Sequence, residues 1–125
     1  MSFIDLGKDL NDVKEPSTVP EGMYDLVITS VKEKEKDGKK GILVIISHES
    51  NMDAANILHN ISLPGPGDDE EKVENKLRFI KRFVEKFKIP VPEGRLDLTL
   101  FPGATGKCKV VLEEYNGVVS NKLKL

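Results

Sequence analysis

The chain contains no tryptophan, aromatic residues make up only 6% of it, and its one cysteine, Cys108, has no partner for an internal disulfide. Lying in the alternating run "KCKVVLEEY", Cys108 is expected to be a packed thiol with no chemistry of its own. No stretch approaches the roughly 18 consecutive apolar residues of a membrane span. The N-terminus, "MSFIDLGKDLNDVKEP", is acidic and polar where a secretory signal would be basic and then apolar. The expectation is a soluble, intracellular protein with no membrane partner. Enzyme signatures are missing as well: there is no G-x-x-x-x-G-K-[ST] loop, no G-x-G-x-x-G after a strand and no G-x-S-x-G elbow. "PGPGDDEE" looks like a phosphate loop only in its glycines, because the four acids that follow would repel phosphate. His48 beside Glu49, with His59 far off, does not make the helical H-E-x-x-H pair. No catalysis, no metal and no cofactor are expected.

What is present suits one domain. The 125 residues are 38% hydrophobic, enough for a single core and too few for two. A formal net charge of −2 argues at first sight against nucleic acid, whose binding domains are often strongly basic. The distribution matters more than the total. Acids gather at "DLNDVKE" and at Asp68 to Glu71; lysines gather at "VKEKEKDGKKG", along "KLRFIKRFVEKFK" and in the last 19 residues. A patch can be basic on a neutral protein.

Residues 1–19 form a polar leader and 20–125 the domain. "PEGMYDLVITSVKEKEK" alternates Tyr24, Leu26 and Ile28 against Met23, Val27 and Val31 and predicts a long first strand starting at Pro20 and Gly22. Tyr24 belongs with the core on this pattern. "DGKKG" is then a loop, "ILVIISHE" a strand buried on both faces, and "NILHNISL" a third strand after the polar link "SNMDAA". "PGPGDDEE" breaks the sheet pattern and opens a helix near Asp69, with Asp68 as N-cap and acids where the helix dipole favours them. Val73, Leu77, Ile80, Val84 and Phe87 follow at steps of four, three, four and three, one stripe facing the core with Phe83 on its edge. Phe79, further round, is assigned to packing on a neighbouring loop rather than to stacking on a ligand. Lys76, Arg78, Lys81, Arg82, Lys86 and Lys88 make a solvated face. Pro90 ends the helix, and "VPEGRLDLTLFPGATG" connects it to a final hairpin.

Asn116-Gly117 is the tip of that hairpin, since a two-residue type I′ turn needs positive φ at both central positions. Tyr115 then pairs with Val118, Leu112 with Asn121, Val110 with Leu123 and Lys109 with Lys124. Side chains alternate between faces, so Cys108, Val110, Leu112, Val119, Leu123 and Leu125 form a core face. Lys107, Lys109, Val111, Tyr115, Val118, Lys122 and Lys124 form the other. Like charges directly opposite cost some tenths of a kcal/mol. The lysine face therefore either serves an anionic partner or keeps other strands away.

Three strands, a helix and two strands make a mainly β protein with one helix, the order of the five-stranded OB-fold barrel with its helix between strands 3 and 4. Its ligand face lies on strands 2 and 3, between the loops that join strands 1 and 2 and strands 4 and 5, here "EKEKDGKKG" and "EYNGVVSN". A ferredoxin-like fold would need a helix where "DGKKG" stands. Single-strand binding requires a positive groove and a few rings for bases to stack on. Lys34, Lys36, Lys39, Lys40, Lys107, Lys109, Lys122 and Lys124 can supply the first; Tyr115 and Tyr24 are candidates for the second, Tyr115 the better of the two, with His48 and His59 as weaker rings. So few aromatics imply modest affinity, strong salt dependence and slight sequence preference.

Taken together, "VPEGMYDLVITSVKEKEKDGKKG", "LRFIKRFVEKFKIPVPEG" and "TGKCKVVLEEYNGVVSNKLKL", in that order and spacing, resemble the phage-encoded OB-fold single-stranded-DNA-binding proteins of replication and recombination. The resemblance covers the whole chain and implies sequence-tolerant binding of single-stranded DNA, with RNA as a related ligand. It also implies a phage recombinase, polymerase or primase as partner, a homo-oligomer, and residence in the cytoplasm of an infected bacterial host. Such proteins commonly end in an acidic tail that recruits partners, whereas this sequence stops at "NKLKL". The competing reading is a protein-interaction module, or an accessory subunit of a replication complex, that does not touch nucleic acid.

Overall fold

The structure, a computed structural model, describes residues 3–12, 17–51 and 53–125. Part of the acidic stretch "DLNDVKE" and Met52 of the link "SNMDAA" lie outside the described residues. Five strands, β1 (Gly22–Lys36), β2 (Lys39–His48), β3 (Ile57–Ser62), β4 (Thr105–Tyr115) and β5 (Val118–Lys124), and one helix, α1 (Glu70–Lys86), follow the expected order, with α1 between β3 and β4. The strands form one sheet in the order β3-β2-β1-β4-β5, antiparallel throughout. β1 joins the halves: Gly22 to Val27 pair with β4, Leu26 to Lys36 pair with β2, and a bulge between Ile28 and Ser30 bends the strand. Bulges of this kind add twist. The sheet curls until its edge strands, β3 and β5, have Cα atoms within 8 Å of each other. No hydrogen-bonded ladder joins those two edges, so the sheet is curled rather than closed.

Both hairpins turn on two residues. Asn116 and Gly117 have φ of 51° and 78°, and β4 and β5 pair Tyr115 with Val118, Leu112 with Asn121, Val110 with Leu123 and Lys109 with Lys124, as the turn predicts. "DGKKG" is not the loop expected. Asp37 and Gly38 have φ of 54° and 76°, so Asp-Gly makes the same kind of tight turn as Asn-Gly. Lys36 then faces Lys39 directly, and Lys39 and Lys40 are strand residues.

The core fills the inside of the curl. Leu26, Ile28, Ile42, Val44, Ile46, Ile57, Cys108 and Val110 are buried from the sheet, and Phe83 and Phe87 from α1. Phe101, from the connection after α1, plugs the end, with its ring centroid 6.1 Å from that of Phe83. Several expectations change here. β2 is not buried on both faces; its burial alternates, leaving Leu43 and Ile45 half-buried on the outer surface. The helix stripe is centred on Phe83, which is fully buried, while Leu77 is exposed; α1 is rotated toward its aromatic side, where Phe87 packs 4.9 Å from Phe83. Leu112 and Val119 lie on the predicted face but are exposed, because the end of the hairpin projects past the core.

The ends of α1 also differ from the sequence reading. The N-cap is Asp69, whose carboxylate accepts from the Lys72 N–H at 2.8 Å. Asp68 instead accepts from the Gly65 N–H at 2.9 Å and from Lys76 Nζ at 2.7 Å. α1 stops at Lys86, well before Pro90. Lys88 takes a φ of 54°, and the Ile89 N–H reaches back to the Val84 carbonyl at 2.9 Å, the six-to-one bond of a Schellman ending. Ahead of the sheet, Ser17 bridges Ala54 in parallel, and Val19 is buried with its N–H and C=O bonded to the side chain of buried Asn121, at 2.8 Å and 2.9 Å. Ser17 to Val19 are therefore tied to the sheet, although the sequence reading leaves them in the leader.

Candidate nucleic-acid interface

The nine predicted site residues fall into two groups. The first is the far end of the β1–β2 hairpin. After the bulge, alternation puts Lys32, Lys34 and Lys36 on one face of β1, opposite Leu43, Gly41 and Lys39. β3 lies beyond β2 and pairs Ser62 with Gly41 and Asn60 with Leu43. Gly41 has no side chain to fill the space between β1 and β3, and Lys34 Nζ reaches across to Asn60 Oδ1 at 3.3 Å. The result is a solvent-open cleft of about 400 Å³ whose lining includes Lys34, Lys36, Lys39, Lys40, Asn60 and Ser62. Glu33 and Glu35 point to the opposite face of β1 by the same alternation. Among the described residues none of these four lysines forms a salt bridge. Asp37 also lines the cleft and Glu35 stands opposite Lys40 on the ladder, so the lysines outnumber the acids there and their charge is offset only in part.

The second group is the outer face of the β4–β5 hairpin. Lys109 and Lys124 are directly opposed, and Lys122 faces Val111. Lys107 faces Asp25 of β1 across the ladder, which offsets part of its charge. Tyr115 is 75% exposed at the tip. Its surroundings include Glu113, Ser120 and Lys122 but not the other three lysines. The cleft that holds the first group contains no residue of the second, and the one around Tyr115 contains none of the first. The lysines that the sequence reading gathers into one surface belong to two separate stretches of it.

The other candidate rings are covered to different extents. Tyr24 packs against the core, donates its hydroxyl to the Pro20 carbonyl at 2.6 Å and sets its ring edge-on to His48, centroids 5.1 Å apart. His48 is buried, and its Nε2 has no hydrogen-bond partner. His59 lies on the inner side of β3, half-buried and stacked on Phe83 at 5.1 Å with planes 8° apart. Burial lowers the pKa of both histidines from 6.5, and Lys122 lowers that of His59 further. Burial likewise raises the Cys108 thiol, in keeping with a packed, unreactive side chain. Asn60 and Ser62 were missed as site residues, although alternation within "NILHNISL" places both on the outer face. Phe79 does not pack on a loop: it is 60% exposed, with the Arg82 guanidinium carbon 5.6 Å from its ring centroid.

No group of three or more histidine, cysteine, aspartate or glutamate side chains among the described residues is arranged to hold a metal ion. No helix of the described residues is long and apolar enough to cross a membrane. Compared with known proteins, the chain matches no family model, and no curated protein matches it either.

Proposed function

We propose that this chain is a sequence-tolerant single-stranded-nucleic-acid-binding protein built on an OB-like barrel, the reading implied by its resemblance to phage-encoded single-stranded-DNA-binding proteins. The observation that carries the proposal is the cleft at the end of the β1–β2 hairpin, where four lysines without ion-pair partners among the described residues line one channel with Asn60 and Ser62 and outnumber its one acid, Asp37. Lysine ammoniums in an open channel neutralise phosphates without reading bases. Asn60 and Ser62 add hydrogen bonds that tolerate any sequence. Support for the barrel comes from the pairing of β1 with both β2 and β4 and from the approach of β3 to β5, the arrangement in which strands 2 and 3 present the ligand face. DNA rather than RNA, a recombinase, polymerase or primase as partner, and a phage-infected cell as setting belong to the same proposal.

Fluorescence anisotropy with labelled oligo-dT, oligo-U and duplex DNA across a salt series tests it. The expected outcome is tighter binding of single strands, with log K falling by about 0.7 per phosphate neutralised for each unit of log salt. Equal affinity for duplex and single strands, or a flat salt response, would overturn it. A second reading has its own observation: an apolar groove of about 400 Å³ between α1 and the following connection, lined by Leu63, Leu77, Ile80, Val84, Val91 and Leu96. Such a groove suits a protein-docking module, and the absence of binding to all three nucleic acids would favour it.

A further inference from the structure

Phe79 is an apolar ring held in water on a chain that has few rings. At 60% exposure it leaves most of its burial free energy unrealised. Two of its four neighbours one turn away on α1, Lys76 and Arg82, are cations. Arg82 lies against it with its guanidinium carbon 5.6 Å from the ring centroid. Lys72 and Lys86 stand seven residues before and after it, two turns away and nearly in line along the helix. Among the described residues Lys72, Arg82 and Lys86 form no salt bridge, whereas Lys76 is committed to Asp68 at 2.7 Å. Lys72 lies near enough to Asp68 to lower that carboxyl's pKa, which leaves Arg82 as the cation at the ring. An exposed ring with a guanidinium beside it offers a single strand a face for a base and a charge for the adjoining phosphate.

Placement adds a second, independent observation. Phe79 lines a cleft of about 300 Å³ between α1 and β3, whose other walls are His59, Asn60, Ile61, Ser62 and Lys76. Asn60, Ile61 and Ser62 also line the lysine cleft at the end of the β1–β2 hairpin. The two clefts thus meet over β3. Tyr115 has no comparable position, since its surroundings share no residue with either cleft.

We infer that Phe79, flanked by Arg82, is a base-stacking subsite for single-stranded nucleic acid. A strand held by Lys34, Lys36, Lys39 and Lys40 crosses β3 at Asn60 and Ser62 and continues onto α1. The inference rests on the single-strand reading and adds to it where a base stacks. The base lies on the open face of the Phe79 ring, Arg82 steadies the adjoining phosphate, and His59, stacked on Phe83, forms part of the inner wall.

The test uses Phe79→Ala, Phe79→Trp and Arg82→Ala in the full chain, with oligo-dT and an abasic oligomer of equal length. Because the chain has no tryptophan, Phe79→Trp carries its sole tryptophan fluorophore. Phe79→Ala is expected to weaken oligo-dT binding about 5- to 100-fold, the range of one base–aromatic stack, with the salt slope unchanged, the melting temperature unchanged and abasic binding unaffected. Oligo-dT should quench the fluorescence of Phe79→Trp, and Arg82→Ala should lower the salt slope by about 0.7. Normal oligo-dT binding by Phe79→Ala, or an unquenched tryptophan at saturation, would overturn the subsite while leaving the single-strand reading in place. Failure of the unmodified chain to bind oligo-dT would remove both.

Discussion

His48 and His59 set the acid side of the stability curve. Both have pKa values lowered by burial, against 6.5 for the free side chain. Well above pH 6.5 both rings are neutral in the folded and the unfolded chain, and pH has little leverage through them. Below it the unfolded chain takes up protons that the folded chain resists, so stability falls as pH falls. Urea unfolding at pH 7.5 and pH 5.5 should give a lower midpoint at the acid value, and His59→Gln should narrow the gap. A midpoint that rises on acidification would contradict the assignment. Asp68, whose pKa is lowered first by its hydrogen bond from Lys76 and then by that from Gly65, stays ionised through this window and enters only below its ordinary range. At this scale the sequence was a partial guide: alternation in "ISHES" and "ILHNIS" puts both histidines on the inner face of their strands, but what covers each depends on the curl of the sheet and the rotation of α1.

Between elements, the end of α1 sits close on β4 at Gly106. A Cβ added to Gly106 would run into the Lys86 carbonyl and lie 3.3 Å from the Phe87 Cα, both backbone atoms of the end of α1. Backbone cannot step aside as a side chain can. Gly106→Ala should therefore cost about 1–3 kcal/mol, read from chemical denaturation, even though it adds one methyl to a strand. A cost under a few tenths would mean that α1 does not seat on β4 as described. The order and type of every element were legible, since hydrophobic period and turn chemistry are local. Asn116-Gly117 yielded the register of β4 and β5 residue by residue, and Asp37-Gly38 carried the same signal, though it was taken for a loop. The rotation of α1 was not legible: Leu77 and Phe83 are both apolar, and only the position of Phe87 and Phe101 decides which is buried. The cleft lay between these limits. Its lysines could be picked out one by one, but their convergence with Asn60 required the order of the strands and the gap left by Gly41.

For the whole molecule the question is why lysines oppose one another on a chain with net charge −2. Guarding an exposed sheet edge explains only some of them. β4 lies between β1 and β5, so Lys107 and Lys109 guard no edge, whereas Lys122 and Lys124 lie on the edge strand β5. Lys109→Ala should hold or slightly raise the melting temperature by relieving Lys124, without promoting self-association. Lys39→Ala should do the same for Lys36 while lowering the salt slope for oligo-dT by about 0.7. Sedimentation and anisotropy on the two variants separate the roles, and aggregation of Lys109→Ala would restore the edge-guarding account. The segment from Ser17 to Val19 bears on shape rather than charge. Its backbone bonds to Asp53 and Ala55 after β2 at 3.2 Å and 2.8 Å, and to Asn121 on β5 at 2.8 Å and 2.9 Å. Three residues thus fasten the two sides of the sheet to one another, as a buckle closes a belt whose ends meet but do not interlock. Any motion that parts β3 from β5 would have to undo that buckle.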